Sequence, residues 1–300
     1  MTIVPSPLKK GDKVAIIATA RKISIELLEQ AESVFRSWDL EPLRGLNLTN
    51  KKHHFSGTDQ QRQEDLQWAM DDSKIKAVFC FRGGYGTVRI LKGLTDDQLV
   101  NNSKWIVGYS DITALHLFMQ NQVGMASLHG TMPINFNENT PAALSTLRTL
   151  LFNEQYELLA PAHHYNRMGT TTGQIIGGNL AIIQSLMGTP YEIDTKDKIL
   201  FLEDVDEYLY NIDRMMWTLK LSGKLDHLAG LIVGGFTEMK DNDLPFGADA
   251  YDSILEKVNE YDYPICFDFP AGHIDDNRAI PFGVTLQLKV EEKGVVLKLR

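Results

Sequence analysis

The sequence is poor in cysteine and contains no long apolar run. Its two cysteines, Cys80 and Cys266, lie within short apolar segments, which is typical of buried thiols and not of a disulfide or a metal pair. No stretch approaches the ~20 apolar residues that a membrane-spanning helix needs. The first ten residues lack the charge-then-apolar order of a signal peptide, so we expect a cytoplasmic protein.

Positive charge is also in deficit. The chain has 30 Lys and Arg against 39 Asp and Glu, a formal net charge of −9. Nucleic acids and anionic membrane surfaces attract basic faces, so neither is an expected partner. A hydrophobic content of 43% and a charged content of 23% are ordinary globular values, which exclude disordered, fibrous and coiled-coil classes.

Strand and helix patterns alternate through the first half of the chain. Short apolar or β-branched runs at 13–19, 77–81 and 105–109 indicate buried strands. Helical patterns lie between and after them, one opening at Ser24 and others at 60–70, 87–94 and 111–121. This alternation predicts an α/β domain with a parallel sheet flanked by helices, over residues 1–155.

The second half mixes strands and helices. Residues 156–172 show no apolar period and are predicted to be a linker, followed by a second domain at 173–300. That domain is predicted to have helices near 178–186, 207–221 and 248–258, with strands at 199–202, 228–233 and 264–269. A period-2 pattern with a turn at 291–294 predicts a C-terminal hairpin.

A glycine-rich loop, Arg82-Gly83-Gly84-Tyr85-Gly86, directly follows the predicted strand 77–81. Backbone amides in such a loop can hold an anion or an oxyanion, although a tight strand-to-helix turn without a ligand is an equally good interpretation. Neither a dinucleotide-binding G-x-G-x-x-G nor a P-loop is present.

Ser110 stands where the predicted strand 105–109 meets the next helix. This position exposes a side-chain oxygen at the carboxyl end of a sheet, as a nucleophile requires, although Ser110 or Asp111 could simply cap the helix. The full elbow motif G-x-S-x-G is not met, because residue 112 is Ile.

A serine nucleophile needs a base and an orienting carboxylate. Among eight histidines, His273 stands out because it lies on a loop that follows the predicted strand 264–269, although a single histidine is more often a surface or hydrogen-bonded structural residue. Glu203 closes the strand 199–202, with Asp204, Asp206 and Glu207 close by, and spacing does not choose among these acids, which could also simply place negative charge at the start of the next helix. The order Ser110, Glu203, His273 matches the nucleophile–acid–base order of α/β-hydrolases.

Together these motifs resemble the LD-carboxypeptidase family of serine peptidases, which includes muramoyltetrapeptide carboxypeptidases and microcin-immunity hydrolases. The resemblance covers essentially the whole chain. It rests on six ordered segments: Phe81–Gly86, Val107–Leu115, His129–Gly130, Gly177–Leu180, Leu202–Asp204 and Gly272–His273.

The resemblance implies a flavodoxin-like N-terminal domain and a smaller, β-rich α+β C-terminal domain. It implies that Ser110 is the nucleophile, His273 the general base and acid, and Glu203 the group that orients His273. The backbone amides of Asp111 and of Gly84, or a neighbouring glycine, would form the oxyanion hole. The family also implies a cytoplasmic enzyme without metal or cofactor, and a possible homodimer.

The implied reaction is hydrolysis of the amide between an L-configured diamino acid and the terminal D-Ala of a murein tetrapeptide, in peptidoglycan recycling. A free carboxylate calls for a cation near Ser110, and the motifs offer Arg82 and Arg278. Arg82 could equally pack against the edge of the sheet. We predict that Arg82, together with Tyr85 of the same loop, contacts substrate.

Two alternatives remain open. A microcin-immunity-type enzyme would use the same triad on acyl-adenylate-like amides, with an aromatic group for the adenine. Trp217 lies at helical spacing among apolar residues and is expected in the core, so it does not supply that group. In another class, the chain would be an inactive peptide-binding module.

Overall fold

The computed structural model describes residues 2–96, 98–99, 101–152 and 155–300. Its strands are β1 Lys13–Ile17, β2 Glu41–Arg44, β3 Ile75–Cys80, β4 Trp105–Gly108, β5 Ser127–His129, β6 Glu157–Ala160, β7 Gly169–Asn179, β8 Ile199–Val205, β9 Gly230–Thr237, β10 Ile265–Cys266, β11 Ile280–Phe282, β12 Thr285–Glu291 and β13 Gly294–Leu299. Its α-helices are α1 Ile25–Ser37, α2 Asp59–Asp71, α3 Thr113–Phe118, α4 Pro141–Phe152, α5 Leu180–Ser185, α6 Leu209–Leu221 and α7 Ala250–Val258.

The chain divides into two compact units. The first comprises Met1–Glu154 and Arg278–Gly283, and the second comprises Gln155–Asn277 and Val284–Arg300. Residues 156–172, predicted as a linker, instead contain β6 and the first residues of β7, which are both paired strands of the second unit. The apolar period is weak there because β6 buries only every second residue and threonines begin β7.

The first unit is built on a six-stranded sheet in the order β11-β5-β4-β3-β1-β2. All pairs are parallel except β11, which runs antiparallel to β5. Residues of β3 and β4 are almost all buried, as continuous apolar runs in a covered sheet should be. Because β1, β3 and β4 are adjacent and parallel, the loops that follow them emerge at one edge of the sheet.

Local capping explains where the first helices begin. The Ser24 hydroxyl accepts a hydrogen bond from the Leu27 amide at 3.4 Å, which confirms the predicted start of α1. A capping box between Thr58 and Gln61 starts α2.

Two predicted helices of the first unit are wrong in detail. Residues 87–94 contain two 3-10 turns, Thr87–Arg89 and Leu91–Gly93. The Asp111 carboxylate accepts from the Thr87 amide, and Gly93, a poor helix former, ends the second turn. Residues 111–121 divide into a 3-10 turn, the short α3 and a π-helical turn over Met119–Val123, which ends at the left-handed Gly124.

The second unit is built on a seven-stranded mixed sheet in the order β10-β9-β8-β7-β12-β13-β6. Strands β7 to β10 are parallel, whereas β7, β12, β13 and β6 pair antiparallel. The C-terminal hairpin and its turn are confirmed. The strand predicted at 264–269 is shorter: only Ile265 and Cys266 pair with β9, since the backbone turns at Asp268, whose φ is +54°.

Trp217, which was expected in the core, is 40% exposed on α6. The ammonium groups of Lys220 and Lys257 lie 5.6 and 5.3 Å from its ring centre.

Within the part of the chain that the structure describes, no helix has both the length and the apolar character to cross a membrane.

Candidate active site

Ser110 lies two residues beyond the end of β4, directly after Tyr109, and has a left-handed backbone with φ of +64°. L-residues other than glycine avoid this region, at a cost of roughly 1–2 kcal/mol. Such strain at a strand-to-helix turn is how α/β-hydrolases expose a nucleophile. The N-cap position of α3 is occupied by Ile112, so neither Ser110 nor Asp111 caps that helix.

A buried histidine fixes the backbone just before Ser110. His116 places Nε2 2.9 Å from the Gly108 carbonyl oxygen and Nδ1 2.9 Å from Ser127 Oγ. Burial lowers the pKa of His116 to about 4, so the ring is neutral at physiological pH. A carbonyl can only accept, so Nε2 donates to Gly108 and Nδ1 accepts from the Ser127 hydroxyl.

Gly83 of the glycine-rich loop lies close to Ser110. A β-carbon added at Gly83 would lie 3.2 Å from Ser110 Oγ and 3.4 Å from the Asp111 backbone nitrogen. The absence of a side chain there leaves space in front of the hydroxyl and of the Asp111 amide. An oxyanion formed at Ser110 needs that space.

The far end of the glycine-rich loop is held by two buried charged groups. Asp111 Oδ2 accepts from the Thr87 amide at 2.9 Å, and Arg62 Nη1 donates to the carbonyl oxygens of Gly86, at 3.1 Å, and of Thr19. Burial raises the pKa of Asp111, against the opposing hydrogen bonds from Thr87 and the Arg62 charge. The end of the loop is therefore fixed by Arg62, which motif reasoning did not single out, and by the side chain of Asp111, of which only the backbone amide was given a catalytic role.

The two predicted substrate-contacting residues of this loop differ in environment. Tyr85 is 46% exposed, with its ring 6.1 Å from that of Phe55. Arg82 is half-buried, and its Nη1 lies 3.5 Å from the Lys22 carbonyl oxygen. Arg278 is also half-buried and opens the short return of the chain to the first unit.

In the second unit, Glu203 and His273 form a hydrogen-bonded pair. His273 Nδ1 lies 2.6 Å from Glu203 Oε2, and the His273 backbone amide donates to the same oxygen at 3.2 Å. The Glu203 side chain is fully buried, whereas that of His273 is 18% exposed. Burial lowers the pKa of His273, but the charge of Glu203 and its hydrogen bond outweigh burial and raise that pKa above its usual value.

Glycines and a bulge make this pairing possible. Between the register pairs Leu202–Val233 and Asp204–Phe236, β9 carries one residue more than β8, and Gly234 and Gly235 lie in that bulge. The Gly235 amide donates to the Ala271 carbonyl at 2.9 Å, which anchors the loop that leads to His273. Gly272 has φ of +109°, and a β-carbon there would lie 2.8 Å from that of Glu203.

Asp204, the neighbouring acid, faces a different set of groups. Its carboxylate accepts from Asn179 Nδ2, the Ala181 amide and the Val205 amide at 2.8–2.9 Å. Burial, together with the nearby charge of Glu203, raises the pKa of Asp204 to about 7. The structure thus resolves the choice left open by spacing: Glu203, not Asp204, contacts His273.

The structure therefore brings Ser110 together with Gly83 and Asp111, and Glu203 together with His273. Sequence reasoning missed the supporting roles of His116 and Arg62, since a lone polar residue within a helical pattern gives no signal of its partners. No group of three or more His, Cys, Asp or Glu residues able to hold a metal ion occurs within the described ranges.

Comparisons with known proteins extend over nearly the whole chain. The LD-carboxypeptidase N-terminal domain model matches residues 14–130, and the C-terminal domain model matches residues 172–288. A probable murein peptide carboxypeptidase of Bacillus subtilis is 33% identical over 98% of this chain and 94% of its own. A murein tetrapeptide carboxypeptidase of Pseudomonas aeruginosa is 30% identical, over 92% of this chain and 93% of its own.

Solved structures show the same fold. A muramoyltetrapeptide carboxypeptidase from Oxalobacter formigenes superimposes with a TM-score of 0.87 at 26% identity, covering 95% of this chain and 97% of its own. MccF in complex with glutamyl sulfamoyl guanosine gives a TM-score of 0.88, covering 99% of both chains, but at 19% identity this likeness shows the fold alone.

The fold and the matched domains define a two-unit α/β enzyme of the serine carboxypeptidase class. More specifically, the chain belongs to the LD-carboxypeptidase family, which confirms the resemblance drawn from its motifs.

Proposed function

We propose that this protein is an LD-carboxypeptidase that removes the terminal D-Ala of murein tetrapeptides by cleaving its amide bond to an L-configured diamino acid centre. The observation that carries the proposal is the 2.6 Å contact between His273 Nδ1 and Glu203 Oε2, in a family of carboxypeptidases. The carboxypeptidases of Bacillus subtilis and Pseudomonas aeruginosa, named for murein peptides, support this substrate class.

The triad we propose consists of Ser110, His273 and Glu203. The protonated Nδ1 of His273 donates a hydrogen bond to Glu203, so Nε2 of the neutral ring is the atom that takes a proton. Ser110 Oγ attacks the scissile carbonyl carbon while its proton moves to Nε2. The resulting imidazolium is stabilised by the fully buried Glu203 carboxylate.

The tetrahedral intermediate carries a negative oxygen. We assign its stabilisation to the Asp111 amide and the Gly84 amide, which belongs to the peptide bond following Gly83. The closeness of Gly83 to Ser110 Oγ and to the Asp111 nitrogen supports this assignment. Removing one such donor typically costs on the order of 3 kcal/mol of transition-state stabilisation.

Collapse of the intermediate breaks the C–N bond, and the proton on Nε2 passes to the leaving amine of D-Ala. The acyl group then remains as an ester on Ser110. Water attacks this ester with His273 as base, the ester bond breaks, and Ser110 recovers its proton as the shortened peptide leaves.

The test is release of D-alanine from L-Ala-γ-D-Glu-meso-diaminopimelate-D-Ala by the purified protein. We expect release by the wild type and loss of release by Ser110→Ala, with an unchanged fold by circular dichroism. Ser33→Ala provides a matched control, because Ser33 lies exposed on α1. A tetrapeptide ending in L-Ala tests the configuration. Equal activity of wild type and Ser110→Ala would contradict the proposed nucleophile.

A further inference from the structure

Two arginines on neighbouring loops of the first unit have no acidic partner among the residues that the structure describes. Arg21 follows β1, Arg82 follows β3, and β1 and β3 are adjacent parallel strands. In the same unit, the guanidinium groups of Arg36, Arg44, Arg62 and Arg89 each pair with Glu32 or Asp59. Within the described residues, neither Arg21 nor Arg82 lies within 4.0 Å of a carboxylate oxygen.

Arg82 also has unused hydrogen-bonding capacity. Its Nε is buried and has no hydrogen-bond partner among the described residues, and Nη1 makes only a long contact of 3.5 Å to the Lys22 carbonyl. Burial and the nearby charge of Arg21 both lower the pKa of Arg82. A guanidinium has five donors and no acceptor, so an anion bound here would satisfy donors and offset the repulsion between like charges.

The Arg21 side chain lies against the glycine-rich loop that approaches the proposed nucleophile. A β-carbon added at Gly84 would lie 2.6 Å from Arg21 Cδ and 2.7 Å from its Nε, so the Arg21 side chain crosses over Gly84. The preceding residue, Gly83, is the one that approaches Ser110 Oγ. Two consecutive residues of the loop therefore approach the nucleophile and Arg21 in turn, and the Cα atoms of Gly83 and Gly84 are about 3.8 Å apart.

A carboxypeptidase substrate has a matching spacing. Its terminal carboxylate is separated from the scissile amide by a single residue. We propose that Arg21 and Arg82 form a clamp for this terminal carboxylate, so that the pair restricts the enzyme to the last residue of a peptide. This inference rests on the proposed function and adds Arg21, which no motif indicated, as a substrate-binding and specificity-determining residue.

The clamp predicts discrimination between a carboxylate and its amide. The wild type should cleave a tetrapeptide ending in D-Ala with kcat/KM about 100-fold above that for the same peptide ending in D-alaninamide, because the neutral amide leaves both guanidinium groups unpaired. Arg21→Gln should lower kcat/KM for the acid about 10-fold or more and leave the amide unchanged. Arg21→Lys should recover part of the preference, since it keeps the charge but not the planar fork.

Arg36→Gln is the matched control, because Arg36 is an exposed arginine of α1 paired with Glu32. It should retain the wild-type preference. Arg21 is itself exposed, so its replacement should leave the fold intact. An acid-to-amide ratio that is the same in wild type and Arg21→Gln would overturn the clamp.

A binding measurement separates this inference from the proposed function. Calorimetric titration of Ser110→Ala with N-acetyl-L-lysyl-D-alanine and with its C-terminal amide needs no turnover. Preference for the acid, lost when Arg21→Gln is added, supports the clamp even if the wild type releases no D-alanine, in which case the proposed reaction alone fails. Equal binding of acid and amide contradicts the clamp whatever the activity.

Discussion

His273 Nδ1 and Glu203 Oε2 lie 2.6 Å apart, and the same carboxylate oxygen also receives the His273 backbone amide at 3.2 Å. Two donors from one residue thus converge on one buried oxygen. This arrangement fixes both the ring and its backbone, so that Nδ1 carries the proton and Nε2 is the basic atom. A geometry of this kind selects a tautomer as well as a charge state.

Replacing Glu203 by Gln should lower kcat by roughly 10²–10⁴, because an amide neither stabilises the imidazolium nor enforces the tautomer. The pH dependence should change as well. Glu203 raises the pKa of His273, and a base acts only when it is neutral, so removal of the charge should move the acid limb of kcat/KM to lower pH. Profiles of kcat/KM from pH 4 to 9 for both proteins measure this shift.

Glu207→Gln is a suitable control, since Glu207 lies four residues further along the chain and its carboxylate accepts from Asn211 on α6. Its profile should coincide with that of the wild type. An acid limb that stays in place in Glu203→Gln would show that the carboxylate does not set the basicity of His273.

Much of the first unit could be predicted from sequence because its strands are covered on both faces. Runs such as 77–81 and 105–109 are apolar throughout, and they are β3 and β4 in the structure. The segment β7 was not predicted because it begins with glycine and threonines, whose pairing with β12 is a contact with residues more than 100 positions away. Local pattern carries no information on such partners.

The site was predictable where a motif coincided with the end of a strand, as for Ser110 and Glu203. The choice of Glu203 over Asp204 depends on the β9 bulge and on the backbone at Gly272, which no spacing rule provides. The role of His116 could not be predicted from local sequence, because its hydrogen-bond partners Gly108 and Ser127 belong to two different strands.

Gly83→Ala should impair catalysis without a comparable loss of stability. Gly83 is not among the glycines with positive φ, so its backbone tolerates a side chain, but the new β-carbon would crowd Ser110 Oγ and the Asp111 amide. We expect kcat to fall by roughly 10² or more, as when an oxyanion-hole donor is displaced. Steady-state kinetics with thermal denaturation measures both effects, and Gly173→Ala, in β7, is the matched control. Wild-type kcat in Gly83→Ala would exclude an oxyanion hole at this loop.

Acidification should destabilise the protein through His116. Its pKa is depressed to about 4 in the folded state and is near 6.5 when exposed. Protons therefore bind the unfolded state more tightly between these values, and the stability that neutral His116 contributes is lost as pH falls through this window. By linkage, the loss amounts to about 2 kcal/mol between pH 7 and pH 5.

Urea unfolding at pH 7 and pH 5 measures this loss. His116→Gln should show a smaller difference between the two pH values, although it lowers stability at both by disturbing the bonds to Gly108 and Ser127. The exposed His53 is the comparison, and His53→Gln should retain the full pH dependence. An unchanged pH dependence in His116→Gln would assign the acid sensitivity to other groups.

The left-handed backbone of Ser110 predicts that the nucleophile position costs stability. Glycine adopts φ of +64° without steric penalty, whereas serine and alanine carry a β-carbon that opposes it. Ser110→Gly should therefore be more stable than Ser110→Ala by about 1 kcal/mol, which corresponds to a Tm higher by roughly 2–4 °C. Both variants lack the hydroxyl, so both should be inactive, and their difference isolates the backbone from the chemistry. Differential scanning calorimetry of the two variants measures this difference in Tm. Equal Tm values would mean that the surrounding chain relaxes to relieve the strain, whereas a stabler glycine variant would show that the fold holds Ser110 in a conformation its side chain disfavours.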